Sequence, residues 1–188
     1  MSTLPAEPAQ ATLSLAQQRN ALWADARQRV YALLVGARVP GLREQLAHAD
    51  VDDWDGLWTG ELDDIERAAA PVLVTLKRES AFTDWLLGAA ALSFEGWGAL
   101  ALGKLPFLAM RSHGRALCRA QLPNGQAIRI DWMDPEVMEA LLPVAGADML
   151  QRVYAGLDEL LTLRPDRWTR WSVEGARLHR TTTGVRGP

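Results

Sequence analysis

Apolar residues along this chain gather into short unbroken runs separated by stretches with helical spacing. The runs Tyr31-Ala-Leu-Leu-Val35, Val72–Leu76 and Gly96–Leu102 are short and nearly free of polar positions. That is the pattern of strands buried on both faces. Between and around them the spacing changes. From Leu13 to Gln28, Leu15, Leu22, Trp23 and Ala26 share one helical face. Pro40 stands at the first position of a predicted helix through Ala47, and Leu62 to Ala70 reads as a short helix stopped by Pro71. Ser80 is placed to cap a helix over Ala81 to Ala90, with Phe82, Trp85 and Leu86 at core spacing. Pro106 begins another, over Phe107 to about His113.

The strongest local signal follows. Two alternating runs, Ala116–Leu122 and Gln126–Trp132, flank Pro-Asn-Gly, and Asn124-Gly125 between such runs predicts a β-hairpin. Asp134-Pro135 then caps and opens a helix through Leu142. Gly146 to Leu163 reads as one longer amphipathic helix carrying Met149, Leu150, Val153, Leu157, Leu160 and Leu161. Residues 167–174 and 176–182 predict a final hairpin across Glu174-Gly175, and the last residues read as a frayed tail.

Short apolar strands alternating with helices predict a layered α/β (mixed α+β) fold, with a mixed β-sheet, an antiparallel hairpin and flanking helices. The expected organisation is an N-terminal helix (1–28), a core (29–145), a C-terminal helix and strand extension (146–182) and a tail (183–188). There is no internal repeat and no low-complexity linker.

Composition narrows what such a fold is for. The 188 residues are 48% hydrophobic and 23% charged, enough to bury a core without a metal or disulfide staple. The single cysteine, Cys118, allows no internal disulfide and fits a reducing compartment. A net charge of −3 gives nucleic acid or an anionic membrane no global attraction. The first residues hold neither a basic nor an apolar segment of the signal-peptide kind. The apolar stretch from Trp85 to Leu108 is broken by glycines, Glu95 and Lys104, so it does not read as a bilayer span. The expectation is a cytoplasmic protein that does not insert into membrane.

Candidate chemistry is sparse. His48, His113 and His179 fall in separate elements with no ligand spacing among them, so no metal site is expected. His113 and Cys118 are the one conceivable nucleophile pair; the plainer reading is a buried structural cysteine and a surface histidine. The carboxylates at Asp50, Asp52, Asp53 and Asp55 lack the spacing and closing Glu of a calcium loop. With Glu61, Asp63, Asp64 and Glu66 they read better as a solvated loop and helix N-terminus. "GARVPG" at 36–41 matches neither phosphate-binding glycine motif. Arg111, Arg115 and Arg119 recur every four positions, as a solvated face or a patch for an acidic partner. No catalytic residue, metal or cofactor is expected, and the chain reads as a binder.

The unusual residue is tryptophan, with eight against three Phe and two Tyr. Tryptophan packs well in cores and also anchors binding surfaces. Trp54 and Trp58 fall in the 50–60 loop. Trp168 and Trp171 would face opposite sides of an alternating strand, so both cannot be core of a one-faced hairpin. These four are the candidate partner-binding anchors.

Read in order, several segments resemble the bacterial type VI secretion effector adaptors, the Tap/Tec-type effector chaperones. They are "YALLVGARVPGLREQL" at 31–46, "WDGLWTGELDDIERAAAPVLVTL" at 54–76, "FTDWLL" at 82–87, "GWGALAL" at 96–102 and "LPFLAMRSHGRALCRAQLPNGQAIRIDWMDPEVMEALLP" at 105–143. The "APVLVTL" strand, the His-containing helix before "LPNG" and the "WMDPEV" ending are the most specific. Within them Trp97, His113, Asn124, Gly125, Arg129, Trp132, Asp134 and Pro135 are read as motif residues with structural roles. Two departures stand out. The family usually has an Arg three residues before the Asp-Pro, where this chain has Asp131, and an acidic residue ending the first strand, where this chain has Gly36.

The resemblance implies a non-enzymatic chaperone that binds a cognate effector toxin and helps load it onto a VgrG or PAAR spike protein. An immunity-type protein that neutralises a toxin by binding it fits the same composition, and a small enzyme using Cys118 and His113 is a further alternative.

Overall fold

In the computed structural model, which describes residues 12–186, the apolar runs form the middle of one sheet. Its strands are β1 (Thr12–Ser14), β2 (Arg29–Leu34), β3 (Trp54–Gly56), β4 (Val72–Thr75) and β5 (Gly98–Gly103). A short hairpin, β6 (Arg119–Gln121) and β7 (Ala127–Arg129), stands apart, and β8 (Leu157–Leu163), β9 (Arg167–Glu174) and β10 (Arg177–Arg186) complete the sheet. The eight sheet strands run in the order β1-β10-β9-β8-β5-β2-β4-β3. Every pairing is antiparallel except β1 with β10. The sheet is therefore mixed, as expected, but its parallel pair lies at one edge and the β6–β7 hairpin is not part of it.

Helices cover both faces. They are α1 (Leu15–Leu22), α2 (Leu42–Ala47), α3 (Asp64–Ala69), α4 (Ala81–Trp85), α5 (Ala91–Ser93), α6 (Phe107–Leu117), α7 (Pro135–Leu141) and α8 (Ala147–Val153). A π turn over Leu86–Ala90 joins α4 to α5. On β2, Val30, Ala32 and Leu34 face a core shared with α1, α2 and α4, where Leu22, Leu46 and Phe82 pack. Tyr31 and Leu33 face the opposite core, with Met110 of α6, Met138 of α7 and Leu150 of α8. That double burial is why these strands read as continuous apolar runs. The pattern usual in parallel sheets appears here in an antiparallel one because helices lie on both sides.

Local sequence sets the element ends. Ser80 accepts from the Thr83 amide, as its position before α4 predicts. Asp63 and Glu66 form a reciprocal capping box on α3. Gly98 lets β5 pass close to β2, because a Cβ there would lie 2.0 Å from the Leu33 carbonyl oxygen.

Several expectations are corrected. The long helix over 146–163 is instead α8 followed by β8, separated by a turn at Tyr154–Gly156. A register shift opposite Leu102/Gly103 leaves Asp158 unpaired between Leu157 and Glu159, so Leu157 and Leu160 reach the same core despite their odd spacing. The bulge turned a strand's period into one that mimics a helix. Trp54 lies on an edge strand rather than in a loop. The expected tail over 183–188 is strand as far as Arg186, with Thr12 to Ser14 paired to Gly184 to Arg186, and 187–188 lie outside the described residues. Among the described residues the N-terminal helix spans only α1, and residues 1–11 lie outside the described residues.

Candidate protein-binding surface

The arginines spaced four apart on α6 turn inward, toward this chain's own acidic loop. Arg111 and Arg115 donate to one oxygen of Asp55 at 2.8 and 3.1 Å, and Arg115 also reaches the Gly56 carbonyl at 2.8 Å. Arg119, just past the helix, donates to the Thr59 hydroxyl. The ladder therefore ties β3 and the following loop to α6. Three further acidic residues are likewise engaged: Lys77 bridges Asp50 and Asp52 at 2.6 and 3.3 Å, and Asp63 caps α3.

Trp54 and Trp58 are half-buried in that clamped segment, each under a guanidinium. Arg43 lies 5.9 Å from the Trp54 ring centre and Arg129 lies 4.9 Å from that of Trp58, within the range of cation–π attraction. Arg129 also pairs with Glu66 at 2.9 Å. Trp168 and Trp171 are placed differently from the expectation. They do face opposite sides of β9, but both sides are covered, and they are 2% and 1% exposed. Each fills one of the two cores, so neither is a surface anchor. The expectation failed because it assumed a hairpin with one open face.

The remaining motif residues hold elements together. Trp97 is buried under the sheet. His113 on α6 meets the Val153 carbonyl at 2.9 Å through Nε2, linking α6 to α8. Asn124 accepts from the Gln126 amide, and the Gly125 amide donates to Leu122 to close the hairpin turn. Asp134 caps α7 through the Glu136 amide, with Pro135 at the first helical position, and lies 3.5 Å from Arg38. Trp132 is buried beside Cys118.

Two titrating groups in this region are shifted. The buried Cys118 thiol is pushed up to about 12, first by burial and then by the nearby Asp131 carboxylate, so it stays a thiol at neutral pH. Asp131 is itself raised, by burial and then by Asp134, while the Trp58 indole N–H opposes the shift. Among the described residues neither that N–H nor one Asp131 oxygen gains a full hydrogen bond, although both are buried. No group of three or more His, Cys, Asp or Glu side chains among the described residues is arranged to hold a metal. None of the described helices is long and apolar enough to cross a membrane.

A groove of about 840 Å³ opens between the β6–β7 hairpin and the helices α7 and α8. Its apolar wall includes Leu117, Ile130, Trp132, Leu141 and Met149, and Arg119, Asp148 and Arg152 stand around it. Sequence reasoning missed this site. It assigned Met149 and Leu150 together to a helix's core face, whereas only Leu150 is buried and Met149 is 45% exposed. Adjacent residues on a helix point about 100° apart, and that was the available signal.

A family model described as a domain of unknown function (DUF4123) matches residues 30–152. The chain belongs to the DUF4123 family. Comparisons with curated proteins and with solved structures find no match. The DUF4123 span contains all but the first residue of β2, then β3 to β7, the clamped tryptophan segment and nearly all of the groove. It leaves out β1 and β8 to β10, yet β8 pairs along β5 and buries Leu160 and Leu161 completely. In this chain the DUF4123 span and the C-terminal extension thus share one sheet and both cores.

Proposed function

We propose that this DUF4123 protein is a bacterial cytoplasmic adaptor that binds a cognate type VI secretion effector and helps load it onto a VgrG or PAAR spike protein. It acts by binding and has no catalytic role. The observation that carries the reading is the ordered run of adaptor-like segments from 31 to 143, which lies inside the family match at 30–152. An apolar groove within that span supports it, because a chaperone must offer cargo an apolar surface that its own fold leaves uncovered. The strongly raised Cys118 thiol also fits a structural role better than a nucleophilic one.

Deleting the gene tests this. The toxin encoded beside it should lose secretion while the apparatus still assembles and still exports other cargo. Unchanged secretion of every toxin would refute the reading. Cells that are instead killed by their own toxin on deletion would identify an immunity protein.

A further inference from the structure

The groove between the hairpin and α7–α8 combines two features that point to one kind of occupant. Its apolar wall does not end inside the cavity: Leu141 and Met149 reach the rim 37% and 45% exposed. Small ligands favour concave sites that bury most of their surface; apolar area spilling onto a rim suits a polypeptide segment. The charge is the second feature. Arg119 and Arg152 line the groove against the single carboxylate of Asp148. Among the described residues neither arginine pairs with a carboxylate, whereas Arg111, Arg115 and Arg129 all do. Two arginines against one carboxylate make the rim locally basic, which favours an acidic segment and disfavours a symmetric dimer in which two such rims would face each other.

We infer that this groove is the cargo-docking surface, and that it takes an apolar segment of the effector flanked by carboxylates that meet Arg119 and Arg152. The inference rests on the adaptor reading above. The apolar side chains enter between Trp132 and Met149, and the flanking acids set orientation and speed of encounter. Binding therefore weakens as salt rises.

The test is co-expression of the full chain with the full-length toxin encoded beside its gene, followed by titration of the purified partners. Met149→Asp and Arg152→Glu should each weaken the complex at least tenfold, with Tm within a few degrees of the parent and a smaller salt dependence for Arg152→Glu. Ile65→Asp, exposed on α3 and not part of the groove's lining, should leave affinity unchanged. A complex equally tight with all three variants overturns the groove assignment while leaving the adaptor reading intact. No complex with the parent protein overturns both. A homodimer of this chain that Met149→Asp dissociates would also overturn the assignment, since the groove would then serve self-association.

Discussion

Arg115 holds the Asp55 carboxylate at 3.1 Å while donating to the neighbouring Gly56 carbonyl at 2.8 Å, so one side chain from α6 fixes the edge strand β3. Arg111 shares the same carboxylate oxygen. All three side chains are partly exposed, so solvent screens the pair and the coupling is modest. Arg115→Ala should cost about 1–2 kcal/mol, much of it from the carbonyl contact. A double-mutant cycle with Asp55→Ala, read by urea denaturation, should give a coupling of about 0.5–1 kcal/mol. Additive losses would mean the arginine ladder is only a solvated face.

The contact of Gly98 with Leu33 makes a sharper demand. Besides the 2.0 Å approach to the Leu33 carbonyl, Gly98 holds φ at +147°, a conformation other residues rarely adopt. Gly98→Ala should therefore lose more than about 3 kcal/mol or fail to accumulate folded protein. Gly88, where an added Cβ meets nothing within 4 Å, is the matched control. Gly88→Ala should be neutral or gain up to about 1 kcal/mol. Equal tolerance at both positions would contradict the described β2–β5 packing.

Gly36 explains one departure from the adaptor pattern. A Cβ there would sit 2.4 Å from the Ala70 carbonyl oxygen, so an acidic side chain ending the first strand does not fit this packing. Asp131, the other departure, leads to a pH prediction. Its carboxyl is raised in the folded state by burial and by Asp134. Below the unfolded pKa the protonated group imposes no penalty; as pH rises through the folded pKa, ionisation costs stability that the unfolded chain does not lose. Asp131→Asn should therefore raise Tm at pH 7, and the gain should shrink as pH falls through the carboxylate range. A variant less stable than the parent at pH 7 would show that the ionised carboxylate is needed by Trp58.

Much of the fold was legible because local chemistry and global packing agree over most of residues 29–145. The runs at 31–35, 72–76 and 96–102 lie on three adjacent strands, and Ser80, Asp134 and Asn124 each cap or turn where their side chains predict. What was not legible depended on partners distant in sequence. The bulge at Asp158 is set by β5, and the burial of Trp168 and Trp171 depends on helices covering both faces of β9's sheet. The α6 arginines show a period of four, but nothing in that period says whether they face a partner or Asp55. The groove arises from the placement of α7 and α8 against a hairpin, and its exposed Met149 resembles a core residue in sequence alone.

Cys118 gives an independent check of the region beneath the groove. A buried thiol with its pKa near 12 should resist alkylation by iodoacetamide at pH 8 in the folded protein and react fully in denaturant. Rapid modification without denaturant would mean that the packing of Trp132 over Cys118 opens readily.

The central claim concerns what this chain grips, and the most direct measurement is which part of the neighbouring toxin it binds. With purified toxin fragments in a calorimetric titration, the account predicts a one-to-one complex with a non-catalytic segment, and no effect on the toxin's activity. Binding confined to the toxic domain, with loss of its activity, would contradict it.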